Sequence, residues 1–309
     1  MIPAGYKSIM NIERVGVIGC GLMGHGIAQV AAAGGFQVQI YETDAKALHS
    51  GIQRIDASLR KIADKAVEKG KKPRQQADVE IAETKQRLDS TLELDDLSDC
   101  DLVIEAIVEN LAVKNTLFAD LGRITKASAI LASNTSSFPI GEMAKASGRP
   151  DRTIGLHFFN PVQLMRLVEV VRTDATDETV FESAQAFGRA CGKHPVSCRD
   201  TPGFVVNRLL VPYMTQAIQM LDRGDASKED IDAAMQFGCG HPMGPITLSD
   251  YVGLDTTLSI IQGWCERYPD DSDFSIPDSL RRLVQAGKFG RKTGEGYYEW
   301  NGDKKKTES

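Results

Sequence analysis

The feature that most constrains this chain is a glycine-rich turn after a short apolar run near its amino terminus. Residues 15–18 predict a buried strand, and residues 22–34 predict a helix with an apolar face. In the Gly-x-Gly-x-x-Gly turn between them, Gly19 permits the sharp bend, Gly21 lets backbone approach a pyrophosphate, and Gly24 lets helix and strand pack closely. The N–H groups that begin the helix would meet the phosphates. The predicted cofactor contacts in this turn are Gly19, Gly21, Leu22, Met23 and Gly24.

An acidic residue stands where a dinucleotide ribose would be bound. Residues 36–41 predict a second strand, and Glu42 follows it directly. A glycine-rich turn without a ligand and a solvated carboxylate are the alternatives, but neither explains the order of strand, glycines, helix, strand and acid. A 2′-phosphate beside Glu42 would cost on the order of 4 kcal/mol at ~4 Å in an intermediate dielectric. We therefore expect NAD rather than NADP.

Composition excludes several classes of protein. The chain has 309 residues, of which 42% are apolar and 25% charged, as in a globular protein of two domains. Its net charge of −6 gives no general attraction to nucleic acid or to an anionic membrane. It has no apolar run long enough to span a bilayer, and residues 1–11 lack the apolar core of a secretory signal. We expect no nucleic acid and no membrane insertion.

The six cysteines are scattered, without CxxC or zinc-ligand spacing. We expect reduced thiols in a reducing compartment, no secretion and no metal. Cys191, His194 and Cys198, with Cys239 and His241, are the alternative metal ligands, but their spacing fits no usual site.

Strand and helix patterns alternate through the first two thirds of the chain. After Glu42 the alternation pauses at two helical stretches, residues 45–69 and 75–86, which predict an inserted helical hairpin. The alternation then resumes, with strands predicted at 101–105, 129–133, 154–157, 167–171 and 194–197, and helices at 113–126 and 176–191. This order predicts an α/β fold, a Rossmann-type and mostly parallel sheet covered on both faces.

The pattern becomes purely helical beyond the Pro-Gly step at residues 202–203, which marks a domain boundary. The helices are predicted at residues 207–223, 228–237, 245–267 and 277–286. We therefore predict a dinucleotide-binding domain over 1–199, with a hairpin insertion at about 45–87, and an all-α domain over 200–309. The lysines of the polar tail, residues 304–306, are predicted to lie in a disordered end.

A histidine and a glutamate suggest the chemistry. His157 follows an apolar strand, and Glu169 sits between Val168 and Val170, where an unpaired carboxylate would cost several kcal/mol. A packed core histidine is the alternative for His157 alone. A hydrogen-bonded pair of His157 and Glu169 would explain both residues. The carboxylate can hold one ring nitrogen and leave the other to take a proton. This is what oxidation of an alcohol by NAD requires of a general base.

The motifs together closely resemble the short-chain L-3-hydroxyacyl-CoA dehydrogenases. The resemblance runs from about Arg14 to Trp300, nearly without gaps. The segments that carry it are Gly19 to Gly24, Glu105-Ala106-Ile107-Val108-Glu109-Asn110, Ser133 to Ser137, His157-Phe158-Phe159-Asn160-Pro161, Asp200 to Arg208 and Gly290 to Tyr298.

The resemblance implies roles for individual residues. His157 would be the catalytic base and Glu169 its orienting partner. Polar residues matched to the substrate's oxygens and to the surroundings of the histidine are Ser136, Asn207 and Asn160. Those matched to the cofactor are Glu42, where the family often has Asp, and Glu109, Lys114 and Asn134. A helix N-cap is the alternative role for Ser136 and for Asn207.

The resemblance also gives the hairpin a role. Cations outnumber acids between residues 58 and 76. Without the resemblance, such a charged run would be interpreted as a solvent-exposed helix face. In the family this arm meets the CoA nucleotide, and Ser58 and Lys65 fall at matching positions. A basic arm on an acidic protein suits the polyanion coenzyme A.

The family further implies an acyl-CoA substrate, fatty-acid β-oxidation, and a homodimer formed through the helical domain. The location would be the mitochondrial matrix in a eukaryote and the cytoplasm otherwise. Two alternatives are a non-catalytic dinucleotide-binding protein on the same fold and a β-hydroxyacid dehydrogenase that acts without CoA. The second usually relies on a catalytic lysine and does not explain the basic arm.

Overall fold

An eight-stranded sheet organises the first unit of the computed structural model, which describes residues 12–306. Its strands are β1 (Arg14–Ile18), β2 (Gln37–Tyr41), β3 (Leu88–Thr91), β4 (Leu102–Glu105), β5 (Ile130–Ser133), β6 (Thr153–Phe158), β7 (Leu167–Arg172) and β8 (His194–Arg199). They lie in the order β3-β2-β1-β4-β5-β6-β7-β8, and every neighbouring pair is parallel except β6 and β7, which are antiparallel. The predicted fold class, a mostly parallel Rossmann-type sheet followed by a helical domain, is confirmed.

Helices accompany this sheet and bury apolar side chains against both of its faces. They are α1 (Gly24–Ala33), α2 (Ala45–Glu68), α3 (Arg74–Gln86), α4 (Leu111–Ile124), α5 (Ile140–Ala146) and α6 (Glu178–Ala190). Strand β4 shows why, because its successive side chains point to opposite faces. Leu102 and Ile104 pack with Ile27 of α1, whereas Val103 packs with Phe118 of α4.

Strand β3 has no counterpart in the sequence analysis. It follows the α2–α3 hairpin and pairs in parallel with β2 at the edge of the sheet. Its sequence, Leu-Asp-Ser-Thr, contains a single apolar residue, so hydrophobic patterning does not reveal it. The hairpin is therefore the crossover connection between two parallel strands.

The chain divides into two compact units between Phe204 and Val205. The second unit contains α7 (Val206–Asp222), α8 (Lys228–Cys239), α9 (Pro245–Val252), α10 (Leu254–Arg267) and α11 (Asp278–Gln285). The single helix predicted over 245–267 is wrong, because Gly253, at φ 109°, separates α9 from α10. That backbone conformation favours glycine and lies outside the helical region.

The carboxyl-terminal segment of the second unit is ordered around a buried carboxylate. Asp250 accepts hydrogen bonds from the N–H groups of Tyr297 (2.9 Å) and Tyr298 (2.8 Å) and from the indole of Trp300 (2.9 Å). A Cβ at Gly296 would lie 2.2 Å from Asp250 Oδ1, so only glycine permits this close approach. Gly296 therefore allows the carboxyl-terminal segment to pack directly against Asp250.

The prediction of a disordered tail at residues 304–306 is wrong. Strand β9 (Trp300–Asn301) pairs antiparallel with β10 (Lys304–Lys305). Lys305 donates to Thr247 Oγ1 (3.1 Å), and its ammonium lies 3.9 Å from the centroid of the Tyr298 ring. Lys305 is therefore held by residues distant in the sequence, which a local sequence pattern does not reveal.

No helix within residues 12–306 is both long and apolar enough to cross a membrane. The six cysteines are free thiols. In the same part of the chain, no group of three His, Cys, Asp or Glu side chains is placed to hold a metal ion. The prediction about residues 1–11 lies outside the described residues.

Candidate active site

The glycine turn has the geometry of a dinucleotide cradle. Gly19 has φ 91°, and a Cβ there would lie 2.6 Å from the carbonyl oxygen of Ala106, while one at Gly24 would lie 1.7 Å from the carbonyl oxygen of Gly19. A Cβ at Gly21 would meet nothing within 4 Å. The first turn of α1 has neither an acidic residue nor a side-chain cap. An open glycine beside uncapped helix N–H groups fits a pyrophosphate.

Glu42 stands at the carboxyl end of β2, beside the glycine turn. Its Oε2 accepts a hydrogen bond from the Cys20 N–H (2.9 Å), and its Oε1 accepts one from the Thr43 N–H (2.8 Å). The carboxylate thus holds the turn in place as well as standing at the predicted ribose position. Its negative charge supports the preference for a cofactor without a 2′-phosphate.

His157 and Glu169 are brought together by the antiparallel pair in the sheet. They lie directly opposite each other on β6 and β7, and Nδ1 of the ring is 2.7 Å from Glu169 Oε2. Both side chains are buried. The ring also packs beside Phe159 and Phe204, at centroid distances of 4.5 and 5.6 Å.

This arrangement determines the free ring nitrogen. Because the carboxylate accepts a hydrogen bond from Nδ1–H, Nε2 of the neutral ring carries the lone pair. His157 can therefore take a proton at Nε2, and Glu169 can stabilise the imidazolium that forms. A buried, oriented imidazole is the arrangement required of a general base.

A second charged cluster lies at the carboxyl ends of β4 and β5. The Lys114 ammonium contacts Glu105 Oε1 and lies 3.1 Å from Glu109 Oε2. Glu105 is fully buried, and its other oxygen accepts the Ser133 hydroxyl (2.6 Å). We call Glu105, Glu109 and Lys114 the carboxylate–lysine cluster.

Glu109 holds the loop that carries Ser136. Its Oε1 accepts hydrogen bonds from the Thr135 hydroxyl, the Ser136 N–H (3.1 Å) and the Ser137 hydroxyl (2.9 Å). Burial alone would raise the pKa of Glu109, but the Lys114 charge and these hydroxyls outweigh it and hold the pKa below its usual value. Glu109 is therefore a carboxylate at neutral pH.

The same loop is tied to the histidine strand. The side-chain oxygen of Asn134 accepts the Phe158 N–H (2.8 Å), directly after His157. Asn134, predicted as a cofactor contact, thus joins the ends of β5 and β6. Asn160 lies exposed two residues further on, at the cis peptide bond to Pro161.

The N-cap alternatives for Ser136 and Asn207 are wrong. Helix α5 begins at Ile140, and the carboxylate of Asp200 accepts the N–H groups of Ile140 (2.9 Å) and Gly141 (2.8 Å). Asn207 is the second residue of α7, in the second unit, and Val205 occupies the N-cap position. The N-cap residues of α5 and α7 are therefore Pro139 and Val205.

The proposed CoA contacts lie on the hairpin. Ser58 is half-buried and Lys65 exposed, both on α2. Neighbouring cations have acidic partners: Arg74 lies 2.8 Å from Asp64, and Lys72 contacts Glu80. Lys65 pairs with no acidic side chain in the part of the chain that the structure describes.

Sequence reasoning gave no role to two carboxylates, the buried Glu105 and the half-buried Asp200. Glu105 ends the strand Leu-Val-Ile-Glu, so it shares with Glu169 the signal of an acid within a buried apolar run. That signal was available. Asp200 gave none, because its partners at the start of α5 are 60 residues away in the chain.

Comparison with known proteins agrees with the resemblance found in the sequence. Two family models match in succession: "3-hydroxyacyl-CoA dehydrogenase, NAD binding domain" over residues 14–201, and "3-hydroxyacyl-CoA dehydrogenase, C-terminal domain" over residues 203–300. The chain is 50% identical to the mitochondrial hydroxyacyl-coenzyme A dehydrogenase of Homo sapiens, over 96% of this chain and 94% of that protein. The first family model confirms the predicted cofactor, NAD.

Bacterial relatives are similar along their whole length. A probable 3-hydroxybutyryl-CoA dehydrogenase of Deinococcus radiodurans is 48% identical, over 93% of this chain and 100% of that protein. The crystal structure of the (S)-3-hydroxybutyryl-CoA dehydrogenase of Ralstonia eutropha superposes with a TM-score of 0.87 at 37% identity. That match covers 94% of this chain and 100% of the other.

Proposed function

The chain belongs to the 3-hydroxyacyl-CoA dehydrogenase family of NAD-dependent oxidoreductases, and from this premise we propose that it oxidises (S)-3-hydroxyacyl-CoA to 3-oxoacyl-CoA reversibly. The observation that carries the proposal is the buried pair of His157 and Glu169, 2.7 Å apart across β6 and β7. It supplies an oriented base in a fold whose glycine turn fits a dinucleotide.

The cofactor would be held by the glycine turn, by the helix N–H groups behind it and by Glu42. When bound, NAD supplies the acceptor for the hydride that leaves the alcohol carbon. Glu109 and Asn134 follow the carboxyl ends of β4 and β5, and Lys114 lies in the first turn of α4, where it contacts Glu105 at the end of β4. We assign Glu109, Lys114 and Asn134 to the nicotinamide half of the cofactor site.

His157 removes the hydroxyl proton at Nε2 while Glu169 holds Nδ1. In the reverse direction the imidazolium returns that proton to the alkoxide as it forms. A positioned base of this kind contributes about 10²–10⁴-fold to the rate. We assign Ser136 and Asn207 to hydrogen bonds with the substrate's oxygens and Asn160 to the support of the histidine.

We assign the CoA nucleotide to the α2–α3 hairpin, with Ser58 and Lys65 as contacts. Lys65 supports this assignment because its ammonium is exposed and lacks an acidic partner among residues 12–306. Exposed cations attract the phosphates of a polyanion.

We further propose that the enzyme acts in fatty-acid β-oxidation and forms a homodimer through its helical unit. The names of several relatives place them in mitochondria, which supports the mitochondrial matrix as the location if the source is a eukaryote. The bacterial relatives support the cytoplasm otherwise.

The test follows NADH absorbance with acetoacetyl-CoA, then with longer 3-oxoacyl-CoA esters, and then with NADPH as cofactor. We expect absorbance loss with NADH and much slower loss with NADPH, because of the charge of Glu42. A chain that binds NADH but turns over none of these esters would be a non-catalytic dinucleotide-binding protein, contrary to the proposal.

A further inference from the structure

The carboxylate–lysine cluster carries an unbalanced charge. It contains two carboxylates, Glu105 and Glu109, and one ammonium, Lys114. No second cation among residues 12–306 forms an ion pair with either acid. Glu105 and Lys114 are at most 1% exposed, so water screens their charges weakly, whereas the Glu109 side chain is 38% exposed and its charge is screened more. The cluster therefore has a net charge of about −1, as long as both acids are ionised.

Both acids are surrounded by groups that stabilise a carboxylate. Glu105 is contacted by the Lys114 ammonium, the Ser133 hydroxyl and the Ile107 N–H (2.8 Å). The last two donate hydrogen bonds, and a carboxylate accepts them more strongly than a protonated acid. Glu109 likewise accepts hydrogen bonds from two hydroxyls and an N–H group. Its lowered pKa agrees with this assignment.

The position of the cluster relative to the cofactor site follows from the strand order. The order of the sheet reverses between β1 and β4, and a dinucleotide binds across the crevice at such a switch point. Glu42, after β2, stands on the side assigned to the adenosine ribose. The other side begins at β4, where Ala106 contacts the glycine turn, and it leads to His157 on β6. The cluster therefore faces the redox-active half.

We propose that the carboxylate–lysine cluster makes the site bind NAD⁺ more tightly, relative to NADH, than a neutral site would. The nicotinamide ring is positively charged when oxidised and neutral when reduced, so a fixed negative charge nearby stabilises the oxidised form selectively. Glu105 sets this preference without being assigned any contact with cofactor or substrate. The inference rests on the proposed function, since it places nicotinamide at this end of the crevice.

The test compares the dissociation constants of NAD⁺ and NADH for wild type and for Glu105→Gln, by calorimetry and NADH fluorescence without substrate. Glutamine keeps the size of the side chain and removes one negative charge. We expect the ratio Kd(NAD⁺)/Kd(NADH) to rise on the order of tenfold, the order of effect expected for removing one weakly screened charge from this half of the site. Equal changes in both constants would overturn the proposal, since a purely structural role weakens both forms alike.

Two further variants keep the test decisive. Ser133→Ala removes the hydroxyl that donates to Glu105 but leaves the charge unchanged, so its ratio should stay at the wild-type value. If Glu105→Gln does not fold, Glu109→Gln removes the same unit of charge and should shift the ratio in the same direction; an unchanged ratio overturns the proposal. Wild-type protein that binds neither cofactor would contradict the proposed function itself, whereas binding with an unmoved ratio contradicts only this inference.

Discussion

At the scale of single residues, the proposed chemistry depends on the ring nitrogen of His157 that remains free. Glu169 is fully buried, and its carboxylate lies 2.7 Å from Nδ1. Removing one partner of a buried hydrogen-bonded pair leaves the other unsatisfied, which costs about 1–3 kcal/mol or more for a charged group. Breaking the pair should therefore lower the stability of the fold as well as the proposed catalytic activity.

We predict that His157→Gln abolishes turnover while NADH still binds, because the cofactor contacts assigned here do not include the imidazole. Glu169→Gln should lower kcat severely, since the amide cannot stabilise the imidazolium. NADH-dependent reduction of acetoacetyl-CoA measures the first effect, and NADH fluorescence measures binding. Full activity in either variant would contradict the assignment of the pair.

At the scale of elements, the α2–α3 hairpin serves two purposes. It connects β2 to β3 within the sheet, and it presents exposed cations on a protein whose net charge is −6. Salt bridges such as Arg74–Asp64 join the two helices of the hairpin, whereas Lys65 has no such partner in the described chain.

We predict that Lys65→Ala raises the KM for the CoA ester several-fold with little change in kcat, because the lysine would contact the nucleotide and not the reacting carbon. Initial rates at varied acetoacetyl-CoA concentration measure both constants. Lys145→Ala, at an exposed lysine of α5, is the matched control and should leave KM unchanged. An unchanged KM for Lys65→Ala would remove this role from the hairpin.

At the scale of the whole molecule, a half-buried carboxylate in the first unit and a buried one in the second set part of the stability of each unit. In the first unit Asp101 accepts the N–H groups of Glu13 and Arg14, both at 2.8 Å, and contacts Lys126. Burial alone would raise the pKa of Asp101, but these donors outweigh it and hold the pKa below its usual value. In the second unit burial raises the pKa of Asp250, and its hydrogen bonds oppose that shift only in part.

We predict that Asp101→Asn lowers the free energy of unfolding by about 2 kcal/mol at neutral pH, the net worth of charge-assisted hydrogen bonds. Because folding depresses the pKa of Asp101, its stabilisation is present above the unfolded pKa near 4 and is lost as the pH falls through the folded value. The variant should therefore lose less stability than wild type below about pH 4. Urea titrations at pH 7 and pH 3 measure both effects, and parallel pH profiles would contradict the role.

We also predict a homodimer, since the helical unit leaves large apolar side chains exposed. Phe237 is 89% exposed and Leu209 69% exposed, and large apolar side chains of this kind are enriched where subunits pack together. Sedimentation velocity at micromolar concentration should give roughly twice the mass of the 33.7 kDa chain. A monomer under these conditions would contradict the prediction.

The sequence alone was sufficient for features whose signal is local. The glycine turn, the acid after β2 and the alternation of strands and helices are all written in short segments, so they predicted the sheet and its cofactor. His157 and Glu169 could be paired in advance because an acid in an apolar strand needs a partner. The short strand β3 and the break at Gly253 were missed, since one apolar residue or one glycine is too weak a pattern.

Only the tertiary structure decided which distant groups meet. Asp200 holds the start of α5, and Lys114 of α4 lies between Glu105, at the end of β4, and Glu109, in the loop that follows. The antiparallel turn from β6 to β7 likewise places Glu169 opposite His157. Such contacts depend on the order and register of the strands in the sheet. The hydrophobic periodicity of a strand does not encode that order, because it shows which face is buried but not which strand lies beside it.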